Sequence, residues 1–233
     1  DRDGCIRYTH FGEGQYLETE IEIRKLLVEV GADVTKVSPG NEPEPEIDER
    51  AQSAGDPSAS QTRELYAGFM RNYNALRSGS QPYVRHQEFY QGPEIDGLYF
   101  DPGDHQNHFI YLEGLWYNGF EELVHARSTI DYKDYIAIKF SAIEVNVVLG
   151  LEDADPYEVR VTIDGRALDP SQAGADIQFD SEGNSYIQVT ASDIYHLVQL
   201  PEYGTQELKI SSNSLDFGFF AYTFGSYLEE PGP

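Results

Sequence analysis

Four stretches in the second half of the chain alternate with a period of two. Ile136, Ile138 and Phe140 alternate with Ala137 and Lys139, and Ile143, Val145, Val147 and Leu149 with Glu144, Asn146 and Val148. Tyr157, Val159, Val161 and Ile163 alternate with Glu158, Arg160 and Thr162, and Leu208 and Ile210 with Glu207 and Lys209. That period describes strands with one buried and one wet face. Asp164-Gly165 and Glu182-Gly183-Asn184 supply turns between them. Eight or more such short strands predict a mainly β domain, a β-sandwich or jelly roll. The aromatic balance agrees: 17 Tyr and 12 Phe stand against a single Met, and aromatic residues favour sheets. The closing run Phe219–Phe224 holds four aromatics in six residues. Alternation would put Phe220, Tyr222 and Phe224 on one face of a central strand. In Asp193–Val198, Ile194 or Tyr195 and Leu197 or Val198 are predicted to be buried.

The N-terminal part reads differently. Asp1-Arg2-Asp3-Gly4 is a tight-turn sequence, and Cys5–Phe11 reads as a strand of a hairpin. Residues 15–31 read as an amphipathic helix with Ile23, Leu27 and Val30 at helical spacing and Gly31 as its stop. About 35 residues are too few for a globular unit, so Ile6, Tyr8, Ile23, Leu27 and Val30 are expected to pack on the β domain or a neighbouring chain. The expected division is a remnant at 1–35, an acidic, proline-rich linker at 36–63, a β domain at 64–228 and a tail at 229–233. A short helix over Glu64–Leu76 would bury Leu65, Phe69 and Leu76.

Acidic residues number 41 against 16 basic ones, a net charge of −25. That field repels nucleic-acid phosphates and anionic membrane surfaces. No apolar run approaches a membrane span. The single cysteine, Cys5, forms no internal disulfide or multi-cysteine metal site and reads as a strand residue. Asp1, with no initiating Met or signal peptide, implies a processed chain or a fragment.

Three groups of residues are candidates for chemistry. Trp116 and Tyr117 in a predicted strand, with Tyr132 and with Asp101 and His105 as polar partners, have the makings of a carbohydrate site. Pyranose C–H faces stack on exposed rings while polar groups bond the hydroxyls. The competing reading places Trp116 in the core. Asp101, Asp104, His105 and His108 have a spacing that could ligate a metal, or could serve turn bonding. Glu152, Asp153 and Asp155 could hold a structural calcium ion, or form a solvated loop. No nucleophile elbow, phosphate loop or dinucleotide fingerprint is present, so a catalytic reading has no anchor.

Several segments together resemble one family. Asp3–Tyr16 running into Thr19-Glu20 resembles the last hairpin and C-terminal helix of a thioredoxin-like domain. Thr62-Arg63-Glu64-Leu65-Tyr66-Ala67-Gly68-Phe69 resembles the segment leaving that domain in DipZ-type redoxins, where a proline usually follows the threonine; here it is Arg63. Leu112–Tyr117, Ile136–Ala142, Val147–Gly150, Val159–Gly165, Asp193–Val198 and Phe220–Gly225 are similar to that family's C-terminal domain. The resemblance implies a periplasmic or extracellular thioredoxin-like protein with an appended jelly roll like a carbohydrate-binding module. Its Cys-x-x-Cys would lie upstream of Asp1, leaving no catalytic residue here.

The expected function is a non-catalytic binding or accessory module, carbohydrate-binding or docking on a periplasmic protein. One alternative is a part of a thiol–disulfide oxidoreductase or peroxiredoxin-like enzyme. Another is a dimerisation or docking domain that forms a homodimer. Expected cofactors are none beyond the structural calcium, and expected partners exclude nucleic acid and membrane insertion.

Overall fold

The computed structural model describes residues 1–9, 16–38, 40, 61–151 and 154–225. The chain divides into two units, Asp1–Glu46 and Ile47–Pro233.

In the first unit, helix α1 runs over Tyr16–Glu29. Gly31 ends it with φ 86°, and the Ala32 N–H returns to the Leu27 carbonyl at 2.9 Å, a glycine cap. Arg24 ties the following segment to the helix, donating to the carbonyls of Val34, Val37 and Ser38. The expected strand is not seen: Cys5–Thr9 have no ladder partner among the described residues, and a strand exists only through its ladder. His10 and Phe11 lie outside the described residues. Cys5 is exposed, as are Ile6, Ile23, Leu27 and Val30.

The second unit is mainly β. Its strands are β1 (Leu65–Tyr66), β2 (Ile95–Tyr99), β3 (Ile110–Asn118), β4 (Leu123–His125), β5 (Tyr135–Leu149) and β6 (Tyr157–Ile163). They continue with β7 (Arg166–Ala167), β8 (Gln178–Phe179), β9 (Ser185–Val189), β10 (Asp193–Ser211) and β11 (Gly218–Gly225). They form one sheet in the order β1-β11-β4-β3-β5-β10-β6-β9-β8, with β2 on β3 and β7 on β6. The sheet folds back on itself. The first half of β5 pairs with β3 and its second half with β11, while β4 joins β11 to β3.

The corner is written in the sequence. Along β5 the residues of the main core are Ile136, Ile138, Phe140 and Ala142, then Val145, Val147 and Leu149, so the core set changes parity between Ala142 and Val145. Opposite that point, β10 shifts register between Gln199, paired with Glu144, and Gly204, paired with Ala142. Pro201 lies in the shifted stretch and has no N–H for a ladder. A bulge there lets one strand serve both layers. Two alternating runs read as separate strands are therefore one strand of 15 residues.

The start of the domain differs from expectation as well. Leu65 and Tyr66 are a strand paired with Tyr222 and Ala221, and helix α2 begins only at Phe69, ending at Arg77. Gly68 makes this junction possible, since a Cβ there would lie 2.4 Å from the Glu121 Cα. Leu76 is 50% exposed rather than buried. Asn72 replaces it as the organising residue. Its amide donates to the carbonyls of Tyr66 and Gly68, and its oxygen accepts the N–H groups of Tyr83 and Val84. Thr62 is already inside the domain, its hydroxyl bonded to Asn107 at 2.6 Å.

The core runs from Leu65 through Trp116, Phe140, Val161 and Leu208 to Phe224. Tyr195, Leu197 and Val198 are buried and Ile194 is exposed. In β11 a bulge between Phe219 and Ala221 resets the alternation. Phe219 and Tyr222 are fully buried as a result, and Phe220 is half-buried.

Candidate functional site

The outer face of the folded sheet gathers polar and aromatic side chains into cross-strand rows. Each strand contributes the residues that alternate with its core positions. Register aligns Glu113 (β3) with Tyr135 (β5), Ser211 (β10), Arg160 (β6), Tyr186 (β9) and Gln178 (β8). Six strands at the usual spacing make this row roughly 24 Å long. Beside it runs Tyr111, Ala137, Lys209 and Thr162, and beyond that Lys139 next to Glu207.

Two loops close over the rows. The loop after β2 brings Asp101 and His105. The His105 ring stacks on Tyr111 at 4.3 Å. Its Nε2 lies 2.6 Å from Asp101 Oδ1 and its Nδ1 2.8 Å from Glu207 Oε2. Tyr135 donates its hydroxyl to the other Asp101 oxygen at 2.7 Å. Lys209 sits 4.5 Å above the Tyr135 ring and 3.4 Å from Glu207. Burial opposes ionisation of Asp101, but bonds from Tyr135, the Gly103 N–H and His105 outweigh it and hold the carboxyl below its ordinary range. Burial, followed by the Asp101 carboxylate, pushes the Tyr135 hydroxyl up.

The loop after β4 brings Tyr132. Its hydroxyl donates to Glu158 at 2.9 Å, and the Arg160 guanidinium lies 4.2 Å over its ring. The loop is anchored from inside by Asp134, whose side chain is 1% exposed. Arg127 grips both Asp134 oxygens at 2.6 Å. The Leu115 N–H donates to the same carboxylate, and His125 Nε2 faces it at 3.1 Å while Nδ1 donates to the Ser214 carbonyl. Burial raises the Asp134 carboxyl, and Arg127, the Leu115 N–H and His125 together bring it below its ordinary range. Gly114 leaves the room: its φ is 105°, and a Cβ there would lie 2.1 Å from Asp134 Cγ.

Three sequence candidates, Asp101, His105 and Tyr132, thus lie on this face. Trp116 does not. It is fully buried on the opposite side of β3, against His125 and Phe217, with its indole N–H on the Glu113 carbonyl. Even positions of β3 face the core, so an exposed Trp116 platform is ruled out. Tyr117 points outward but pairs with Asp96 and Val124, four residues and roughly 13 Å along the strand from Glu113.

The Asp101–His108 cluster does not assemble into a metal site. His108 turns away and accepts the Arg63 N–H through Nδ1, while Asp104 is exposed. Asp155 is exposed, and Glu152 and Asp153 lie outside the described residues. Among the described residues no group of three or more metal-ligating side chains converges.

Sequence reasoning missed Glu113, Tyr186, Glu158, Arg160, Glu207 and Lys209 as site residues. Several are the wet positions of the alternating runs, so their face was visible; their adjacency depends on register, which no local signal carries.

The architecture and this face define an antiparallel β module with a polar, tyrosine-lined surface. Residues 62–225 match the thioredoxin-like C-terminal domain family, and the chain belongs to it. This fits an accessory module of a thioredoxin-like protein. No curated protein matches the chain.

Proposed function

We propose that this chain is a non-catalytic binding module of a DipZ-type, extracytoplasmic thioredoxin-like protein, a jelly-roll-type domain whose outer sheet face binds carbohydrate. The observation that carries the reading is the row Glu113–Tyr135–Ser211–Arg160–Tyr186, with Tyr132 over its middle. Half-buried tyrosines offer ring area for pyranose C–H groups. Arg160, Lys209 and Glu158 offer charged donors and acceptors for hydroxyls, while the buried Asp101 braces Tyr135 and His105. The high negative charge favours neutral glycans over sulfated or uronate-rich ones.

Titration of the chain with neutral oligosaccharides, followed by amide chemical shifts, tests this. Shifts are expected at residues of β5, β6 and β10. Tyr132→Ala and Arg160→Ala should each weaken binding about tenfold, on the scale of one lost stacking or charged contact. Tyr117→Ala should leave it unchanged. Absence of shifts at millimolar sugar, or shifts clustered around Tyr117, would defeat the reading.

The non-catalytic part rests on Cys5, the single cysteine. A dithiol reductase needs a second thiol to resolve its mixed disulfide. In an insulin-reduction assay the chain is expected to give the uncatalysed rate, and Cys5→Ser the same rate. Turnover that disappears with Cys5→Ser would refute the assignment.

A further inference from the structure

We infer that the arginine-rich stretch at the start of the β domain is a docking surface for an acidic, apolar-bearing segment of a partner protein. Between Thr62 and Gln87 the chain carries Arg63, Arg71, Arg77 and Arg85 and one acid, Glu64. Everywhere else acids dominate, and the chain as a whole carries 41 of them against 16 bases. Among the described residues, Arg2, Arg7, Arg24, Arg127 and Arg160 each pair with a carboxylate, whereas these four, like the isolated Arg166, pair with none. In a chain so rich in carboxylates, four neighbouring unpaired arginines form an island of opposite charge.

The island is built rather than loose. The Arg71 guanidinium lies 4.4 Å over the Tyr66 ring, and Tyr66 meets Tyr83 edge-on at 5.5 Å. Arg63 lies 4.5 Å over Tyr83 and 5.9 Å over Phe109, and Arg85 lies 4.7 Å over Phe109 from its own position. Cations and rings therefore join in one continuous ladder, Arg71–Tyr66–Tyr83–Arg63–Phe109–Arg85. Arg63, its middle rung, is pinned by the carbonyls of Gln81, Pro82 and His108. Arg71 and Arg85, the outer rungs, are exposed. A guanidinium held over a ring can still present its N–H fork to a carboxylate bidentately. Fixing the side chain beforehand also reduces the ordering cost of binding.

The partner's class follows from what stands beside the arginines. Helix α2 exposes Met70, Tyr73 and Leu76 alongside Arg71 and Arg77. A surface that alternates guanidinium and apolar side chains fits a peptide that alternates carboxylate and apolar side chains. A nucleic acid or a sulfated glycan brings a far denser charge and no aliphatic or phenyl side chains, and so meets more of the repulsion of a chain whose net charge is −25 than a short peptide does. This surface adjoins the sugar face through Phe109, which packs with Tyr111 and Ala137, but its arginines are not part of that face, and neither reading depends on the other.

The test uses the full chain and a fluorescent twelve-residue peptide of repeating Glu-Glu-Phe, read by anisotropy and amide shifts. Controls are the Lys-Lys-Phe analogue, a twelve-glutamate peptide and a heparin-derived hexasaccharide. Binding of the Glu-Glu-Phe peptide, with shifts in Arg63–Arg85 and Phe109, is the expected result. The double substitution Arg71→Glu with Arg85→Glu should weaken it at least tenfold while keeping the melting temperature. Arg166→Glu, on β7, should change it less than twofold. Should the double variant lose its fold, Arg71→Gln with Arg85→Gln gives the same comparison without charge reversal, expected to weaken binding at least threefold. The inference is overturned if the peptide does not bind at millimolar concentration, if either double variant binds it unchanged, or if the Lys-Lys-Phe analogue binds as well. It is equally overturned if the twelve-glutamate peptide or the hexasaccharide binds these arginines more tightly than the Glu-Glu-Phe peptide.

Discussion

Asp134→Ala is expected to lower folding stability by about 3–5 kcal/mol, the usual consequence of removing one partner from a buried charge network. The carboxylate receives Arg127 through both oxygens, the Leu115 N–H and the His125 ring. Its loss leaves the Leu115 N–H without an acceptor and His125 Nε2 without its partner inside the fold, and it frees the loop that presents Tyr132. Urea unfolding at neutral pH measures the change; a loss under about 1 kcal/mol would place the network among ordinary surface ion pairs. The acid limb gives a second readout. The Asp134 carboxyl is held lower in the folded state than in the unfolded chain. Its contribution is therefore complete above the ordinary aspartate value of about 3.9 and disappears as pH falls through the folded value. Wild-type stability should fall across that acid window, and the variant's should fall less steeply.

A chain ending at Ser214 is expected not to fold. It would lack Phe217 and all of β11, the strand that pairs with β1, β4 and β5. Phe217, Phe219 and Tyr222 are fully buried, and each such ring contributes roughly 2–3 kcal/mol. Their sum reaches the whole stability of a typical domain. Phe219→Ala alone should cost about 3–5 kcal/mol, while the half-buried Phe220 should cost less when truncated. Thermal melts followed by circular dichroism distinguish the outcomes. A cooperative transition near the full-length temperature would show that the sheet closes without β11.

Much of this sheet can be read from single residues. The parity of Ile136–Phe140, Val159–Ile163 and Leu208–Ile210 identifies both strand and buried face, because a period of two has few other solutions in water. The same rule decides Trp116, an even position of β3 among even core residues, once that strand's phase is known. Leu65 and Tyr66 were misread because Leu65, Phe69 and Leu76 happen to fit a helical spacing; pairing with Tyr222, more than 150 residues away in sequence, overrides local propensity. The site was legible residue by residue but not as a site. Asp101 and His105 could be named from their loop, yet Glu207 and Lys209 reach them only because β10 crosses the corner at Pro201.

The pairing of β1 with β11 also bears on how the protein is made. The first strand of the domain, at Leu65, has its sole sheet partner at Ala221 and Tyr222 among the described residues. On the ribosome, roughly 160 residues must emerge before that bond can form, which takes on the order of ten seconds or more at usual translation speeds. Through that interval β5 and β6 carry long apolar runs with no closed sheet to shelter them. A nascent chain of this design depends on its dense negative charge, or on a holding chaperone, to remain dispersed until the last strand arrives.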